Sequence, residues 1–568
     1  MTTTPARATQ SHTTVDLLVI GSGTGMAAAL AASELGLSTL IVEKTPYIGG
    51  SMAKSGGAFW IPANPVLRRS GSTDSLEEGR RYLAAVVDGS PEARVHSYLE
   101  NGSATVDMLS RTTPMKFEWD EGYPDYHPEE PGGSVAGRTC ECRPFNASVL
   151  GAHRKRLRPG ILKPPIPMPI TGGDYRLINL MVRFPRKAVP LLLKRIVQGV
   201  GGRLIGRRYV AAGQALAAGM YAGVLRAGIP VWTDTALAEL TTEESGVTGA
   251  VLTRGGSTVT VTARRGVVLA AGGFDHRMDW RWKFQSESLG DHLSLGADGS
   301  TGDGIALAQE AGAGTALMDQ AWWFPAIAPL PDAEPPMMLS ERSLPGSLLV
   351  DQTGSRFVNE ACDYMTFGQR VLERERAGRP IEQMWLVFDQ RYRNSYLMAG
   401  DLYPRMPIPR AWYDAGIAYR SDDFAGLAAK VGLPVGSFTA TMAHFNQMAA
   451  AGRDRDFERG RSAYDWYYGD PTVRPNPNLL PLERGPFYAV KAVLSDLGTC
   501  GGLRADEHAR VLREDSTVIN GLYAIGNTAA NAFGTSYPGA GATIGQGLVF
   551  GYIAAHDAAR RHPSSQTA

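Results

Sequence analysis

The stretch that decides the fold is VDLLVIGSGTGMAAALAASELGLSTLIVEKTPYIGGSMAKSGG, from Val15 to Gly57. It opens on an apolar run, Val15 to Ile20, in which Asp16 is the one polar residue. A turn holding Gly21, Gly23 and Gly25 follows, then an alanine-rich helix, then a second strand, Ser38 to Val42, which ends on Glu43. Strand, glycine turn, helix, strand and acid in that order make the first βαβ unit of a dinucleotide-binding sheet. The glycines let the backbone close on a pyrophosphate at the positive end of the helix. Glu43 is placed to accept hydrogen bonds from the adenosine ribose hydroxyls. The third glycine of the usual fingerprint is missing, and Met26 stands in its place.

A second glycine run comes soon after the acid: Lys44 leads into Gly49, Gly50 and Ser51, then into Ser55, Gly56 and Gly57. A protein that holds only a nicotinamide dinucleotide has no need of this loop, and a flexible surface loop is its other possible use. A flavin does need it, because pyrophosphate and isoalloxazine must both pass over close backbone. The reading is FAD.

Further out, Gly266 to Phe274 (GVVLAAGGF) is a buried strand ending at Ala271, Gly272 and Gly273. With a strand over Ala236 to Leu240, which contains Ala238, it forms the returning half of the sheet. Gly302-Asp303-Gly304 opens a short helix. Near the end, NGLYAIGN closes a strand on Gly526 and Asn527, and YPGAGATIGQG leads into an apolar helix reaching about Arg560. Gly541, Thr543 and Ile544 sit at the start of that helix, where its positive end suits a phosphate or a flavin carbonyl. Between residues 320 and 489 the glycine fingerprints stop, and strands (347–351, 384–389) mix with helices (366–377, 422–431, 436–451). The domain reading is a discontinuous FAD-binding unit, 14–319 and 490–562, with a substrate unit at 320–489. Polar tails, 1–13 and 563–568, are expected to be disordered.

With 57 basic and 56 acidic residues, the chain has no global pull toward nucleic acid. Cys140 and Cys142 are one residue apart, not two, and no histidine cluster completes a metal site. Four cysteines, a polar N-terminus without a signal-peptide core and no apolar run of about 20 residues suggest a cytoplasmic protein. One stretch is lopsided. From Arg154 to Arg208 lysines and arginines face a single acid, Asp174, with apolar residues interleaved. It reads either as a solvated face over a packed helix or as a patch that rests on anionic lipid at a membrane surface.

The three glycine motifs stand in the order seen in the fumarate reductase and succinate dehydrogenase flavoproteins, over nearly the whole chain. Finer features resemble the 3-ketosteroid Δ1-dehydrogenases: Pro124-Asp-Tyr126, Arg356 through Tyr364 (RFVNEACDY), Arg459-Gly with Tyr464-Asp and Tyr468-Gly-Asp470, Pro486-Phe-Tyr, and Ser536 through Gly541 (SYPGAG). The resemblance implies an α/β fold: a Rossmann-like FAD-binding domain of the fumarate-reductase (GR2) type with an inserted α+β catalytic domain. It implies non-covalent FAD, a 3-oxosteroid substrate in steroid catabolism, and an electron acceptor such as a quinone. By resemblance, Tyr364 takes the C2 proton, Tyr126 hydrogen-bonds to Tyr364, and the Tyr537 hydroxyl and Gly541 amide donate to the 3-keto oxygen, while the C1 hydride goes to the flavin. Donors fixed on a developing enolate are each worth about 3 kcal/mol. Tyr126 is preferred to Tyr123 because it directly follows Pro-Asp. Trp322, Trp323 and Phe324 are either core or pocket wall, and Tyr488 reads as structural.

Three rivals follow from the same scaffold. A 3-oxo-5α-steroid 4-dehydrogenase is poorly separated by sequence. A fumarate-reductase-like ene reductase would clamp a dicarboxylate with arginines, and Arg342, Arg356, Arg370 and Arg405 are the candidates. A flavoprotein without catalytic function is the third.

Overall fold

The computed structural model describes residues 11–161 and 166–561. The Ser11–Ile20 strand lies inside a mixed eight-stranded sheet, parallel to Thr39–Val42 on one side and to Ser257–Leu269 on the other. Residues 11–13, expected in a disordered tail, are therefore paired strand; the remaining tail residues, 1–10 and 562–568, lie outside the described residues. Across the sheet the order is Arg510–Leu512, Val518–Ala524, Ser257–Leu269, Ser11–Ile20, Thr39–Val42 and Val231–Trp232. Thr235–Glu243 and Gly246–Arg254 join as an antiparallel meander on the first half of Ser257–Leu269.

The central strand is apolar on both faces because both faces are covered. Leu17 and Val19 point into the core that contains the Gly25–Glu34 and Ala542–Arg560 helices, while Leu18 and Ile20 point into the core under the Asp303–Glu310 helix. The missing fingerprint glycine has a substitute one residue earlier. A Cβ on Gly25 would stand 2.8 Å from Val19 Cγ1 and 3.0 Å from the Ala270 Cβ. Gly25 thus supplies the close helix–strand approach, and Met26 is free to be large and buried.

The second unit is built on a five-stranded antiparallel sheet, Ala321–Ile327, Phe487–Thr499, Met384–Asp389 and Ser347–Asp351 in that order, with Ala418–Ser421 also paired to the long strand. The Phe487–Thr499 strand runs unbroken past residue 490, so the boundary expected there is corrected to its far end. Pro325 is tolerated because Ala321–Ile327 lies at the sheet edge. Leu349, Leu386 and Phe388 pack one face of this sheet, Leu348, Val350 and Val387 the other. Part of the basic stretch leans on this unit as well: Leu180 joins its core, and Tyr175 and Ile178 pack on Leu397. Lys163, in the same stretch, lies outside the described residues.

Candidate active site

A cleft of about 2070 Å³, counted with its open mouth, runs between the two units. It is lined by the glycine motifs of the first unit and by aromatic and apolar side chains of the second, among them Phe324, Met337, Leu339 and Tyr364. At one end Glu43 is buried, its carboxylate accepting from the Ser22 amide and hydroxyl (3.2 and 2.6 Å) and from the Thr45 amide and hydroxyl (3.0 and 2.9 Å). Lys44 reaches Asp303 at 2.7 Å and the Thr301 hydroxyl at 2.6 Å. Gly49, at φ +113°, caps the helix Gly50–Lys54 and donates its amide to the Ser22 hydroxyl at 3.1 Å.

The glycines here divide into two kinds. Gly21 and Gly57 hold positive φ, and a Cβ on either would collide with backbone, 2.1 Å from the Ala270 oxygen and 2.2 Å from the Ala212 carbonyl carbon. Gly23 and Gly56 face open cleft: a Cβ would meet only the Gly49 oxygen at 3.7 Å in the first case and nothing within 4 Å in the second. Packing does not demand glycine at those two positions. The room left bare is what a pyrophosphate and a flavin need, so the residues present fit FAD. Among the described residues that line the cleft there is no histidine or cysteine to form a covalent flavin bond.

Most of the expected cofactor residues line this cleft: Gly21, Gly23, Glu43, Lys44, Gly50, Ser51, Ser55, Gly56, Gly57, Ala271, Gly272, Asp303, Gly526, Asn527, Gly541, Thr543 and Ile544. Four do not. Gly25 and Gly49 serve packing and capping behind it, and Gly273 packs on Thr499, whose hydroxyl would be 1.9 Å from an added Cβ. Ala238 is exposed; alternation along the Thr235–Glu243 strand turns Leu237 and Thr235 to the cleft instead. Residues missed by sequence reasoning include Ser22, Thr24, Ser300 and Arg158. Ser22 carried a signal, since it lies between two fingerprint glycines; Arg158, paired to Asp298 at 2.6 Å, carried none.

At the other end three tyrosines from distant parts of the chain meet. Tyr126 donates its hydroxyl to the Tyr364 hydroxyl at 2.8 Å. Ring centroids are 5.4 Å apart for Tyr364 and Tyr537 and 5.0 Å for Tyr126 and Tyr537. Tyr364, Tyr537 and Gly541 line the cleft, while Tyr126 stands behind Tyr364. Tyr123 also lines it but is engaged elsewhere, hydrogen-bonded to the Tyr468 hydroxyl at 2.7 Å and stacked on Tyr467. Phe324 lines the cleft 5.0 Å from the Tyr364 ring; Trp322 and Trp323 are core, the first packed against Tyr537. Tyr488 donates to Gln390 in the outlying sheet, away from the cleft.

Burial pushes Tyr364 well above the usual phenol range, and the charge of Tyr537 adds to this; the Tyr126 hydrogen bond opposes it. Apart from burial, the leading influences on Tyr364 all come from other tyrosines. Tyr537 is also raised by burial, but the Thr543 hydroxyl, Tyr364 and the Gly541 amide pull it back. The Gly541 amide, at the N-terminus of the Ala542–Arg560 helix, therefore works beside the Tyr537 hydroxyl.

The motifs around these tyrosines are clamps. Arg356 binds Glu360 and Asp454 (2.8 and 2.7 Å), Arg459 reaches Glu360 at 3.3 Å, and Arg342 donates to the Glu360 and Cys362 carbonyls. That network pins the loop that ends on Asp363, whose carboxylate caps the helix beginning with Tyr364. Asp125 holds Tyr126 the same way, accepting from Trp60 Nε1 (2.7 Å), the Ser134 amide (3.0 Å) and Arg138. Of the candidate arginines for a dicarboxylate clamp, Arg342 and Arg356 are consumed in this network, Arg370 pairs with Glu373 on the surface, and none of the four lines the cleft. The cations that do, Lys44, Lys54 and Arg158, are each paired to an acid.

A doubly wound nucleotide sheet, a bare glycine cradle and a phenol-lined apolar slot define a flavoprotein oxidoreductase of the fumarate-reductase fold. The family model described as "FAD binding domain" matches residues 16–544. The 3-oxosteroid 1-dehydrogenase of Mycolicibacterium smegmatis is 43% identical over 564 residues, 97% of this chain and 98% of its own length. The crystal structure of 3-ketosteroid Δ1-dehydrogenase from Sterolibacterium denitrificans, in complex with 1,4-androstadiene-3,17-dione, superposes with a TM-score of 0.89 at 36% identity, covering 96% of this chain and 99% of that one. A 4-oxocyclohex-2-ene-1-carboxylate 5-dehydrogenase of Sinomonas cyclohexanicum is 35% identical, covering 96% of this chain and 94% of its own length. The chain belongs to the 3-oxosteroid 1-dehydrogenase family of FAD-binding flavoproteins.

Proposed function

We infer that this chain is an FAD-dependent 3-oxosteroid 1-dehydrogenase, removing one hydrogen each from C1 and C2 of ring A. The observation that carries the chemical roles is the Tyr126–Tyr364 hydrogen bond at the cleft wall, facing Tyr537 and Gly541. The C2 proton is acidic only while the 3-keto oxygen can take up negative charge. Tyr537 and the Gly541 amide donate to that oxygen, fixed before reaction so that no reorganisation is needed. Tyr364, as its phenolate, accepts the C2 proton, and the Tyr126 hydroxyl stabilises that phenolate by donating to it. Bound FAD supplies the two-electron acceptor that takes the C1 hydrogen as hydride. Phe324, Met337, Leu339 and Leu497 give the slot apolar walls that suit a steroid. A carboxylated ring is a poorer fit, since every cation lining the cleft is already paired. For reoxidation we propose a quinone-class acceptor. The four cysteines stand as free thiols, which supports a cytoplasmic setting.

Anaerobic titration with androst-4-ene-3,17-dione tests this reading. Flavin absorbance is expected to bleach, with the 1,4-diene as product. Because C4 and C5 are already unsaturated in this substrate, bleaching also separates 1,2- from 4,5-dehydrogenation. A protein that stays yellow is not a steroid 1-dehydrogenase.

A further inference from the structure

The catalytic roles use one end of the slot, and its wall holds a second polar group that they leave idle. From Tyr364 the wall steps away ring by ring, 5.5 Å to Tyr126, 6.5 Å on to Tyr123 and 4.1 Å on to Tyr467. The Tyr467 hydroxyl then donates to Asp120 at 3.3 Å. Tyr123, Tyr468, Asp120 and Glu141 all line the cleft.

Tyr123 and Tyr468 are each 7% exposed, and their hydroxyls share one hydrogen bond of 2.7 Å. Burial pushes both above the usual phenol range, so both keep their protons. Two hydroxyls joined by one hydrogen bond use one proton between them. The other proton has no acceptor among the described residues, and a buried donor left unpaired is costly. Because both side chains line the cleft, the acceptor is a ligand that enters it, and a keto or hydroxyl oxygen suits.

The two acids nearby decide what else can enter. A Cβ on Gly173 would stand 3.0 Å from Asp120 Oδ1 and 3.3 Å from Glu141 Oε1, so the two carboxyl groups meet at that glycine. Neither has an ion-pair partner among the described residues. Burial pushes Glu141 up to about 8, so it keeps its proton at neutral pH. Burial also pushes Asp120 up to about 6, with the Tyr467 bond and the charge of Arg176 opposing, so Asp120 is ionised there. Arg176 itself stands over the Tyr467 ring at 4.6 Å and does not line the cleft. This part of the wall is therefore negative, and the cations that line the cleft are already paired to other acids.

We propose that the far ring of the substrate, ring D, lies along this wall, that the spare proton of the Tyr123–Tyr468 pair is donated to a neutral oxygen on it, and that Asp120 turns away steroids whose side chain ends in a carboxylate. This narrower substrate class rests on the steroid reading of the cleft.

Two substrate pairs test it on the flavin-loaded enzyme. Androst-4-en-3-one lacks the C17 oxygen of androst-4-ene-3,17-dione, and its KM should be about tenfold higher. Tyr123→Phe and Tyr468→Phe each leave one free hydroxyl and should keep most of that gap, whereas the two substitutions together should close it. 3-Oxopregn-4-ene-20-carboxylic acid and its methyl ester are alike in size and differ in charge. The ester should exceed the acid in kcat/KM about a hundredfold, and Asp120→Asn should narrow that ratio about tenfold. Each comparison is a ratio within one protein, so a change in overall turnover cancels. Should a variant fail to hold flavin, the two ratios of the parent decide alone. A parent without the KM gap, or a gap that survives in the double variant, overturns the role of the tyrosine pair. Equal turnover of acid and ester, or a ratio that Asp120→Asn leaves unmoved, overturns the exclusion. Either failure leaves androst-4-ene-3,17-dione a substrate, whereas a parent that none of these steroids bleaches takes the steroid reading down as well.

Discussion

The two ends of the cleft are built from different parts of the polypeptide. The nucleotide end is bare backbone: Gly23 and Gly56 face space that any side chain would enter. The steroid end is side chain, with Tyr126, Tyr364 and Tyr537 converging from stretches of chain separated by more than a hundred residues. The first end binds by leaving room and the second reacts by filling it. Damage at the first should therefore appear as lost cofactor, and damage at the second as lost rate with the cofactor in place.

Gly56→Val is the strongest way to break that division. Its φ lies outside the left-handed region and an added Cβ would meet nothing within 4 Å, so the fold should persist while the cofactor's room is filled. The purified protein should be nearly colourless with unchanged circular dichroism; a fully yellow variant would show that Gly56 is not part of the cradle. Tyr537→Phe should do the reverse, retaining full flavin and slowing its reduction by steroid about 10²–10³-fold, the usual cost of one oxyanion donor. Stopped-flow absorbance reads both quantities. Tyr126→Phe should cost less, about tenfold at neutral pH. Because the Tyr126 hydroxyl favours the ionised form of Tyr364, its loss raises the Tyr364 pKa, and the rising limb of the pH–rate profile should move to higher pH. An unmoved limb would make Tyr126 merely structural.

The smallest effect concerns two acids in the cleft wall. Burial pushes Glu141 up to about 8, with the charge of Asp120 adding to it although the Gly172 amide donates to Glu141 at 2.8 Å, and burial pushes Asp120 up to about 6. Unfolded Glu141 releases its proton near its ordinary value, whereas folded Glu141 keeps it until about 8. In that window the folded state binds more protons, so this site's contribution to stability falls as pH rises and is fully lost above pH 8. Glu141→Gln should flatten the decline in melting temperature between pH 5 and pH 8 by about 2 °C. An identical decline in both proteins would remove Glu141 from the account.

How much could be read from the chain follows the same division. Backbone features are local, and they were legible: the Ser347–Asp351 and Met384–Asp389 strands stand at the residues where their apolar runs end, and Glu43 closes the second strand of the nucleotide unit. The Ala238 expectation failed by one residue, because a period of two turns each neighbour to the opposite face and composition does not say which face meets the cleft. The boundary at 490 failed because an antiparallel strand of thirteen residues carries no turn signal inside it. The clamp of Arg356, Glu360, Asp454 and Arg459 was not legible as a clamp. It joins residues about a hundred positions apart, and only the folded sheet brings them together. Resemblance flagged Arg356, Glu360 and Arg459 but not Asp454, and their shared physical purpose, pinning the loop before Tyr364, shows only in the folded chain.

The most direct test of the central claim is the reductive half-reaction of Tyr364→Phe, followed by stopped flow without oxygen. This ring lines the slot and should leave the cofactor and the steroid bound as before, since only its hydroxyl is removed. The account predicts full flavin content, steroid affinity within a few-fold of the parent, and flavin reduction slowed about 10²–10⁴-fold. Reduction at the parental rate would contradict it, because the C2 proton would then be leaving to some other base.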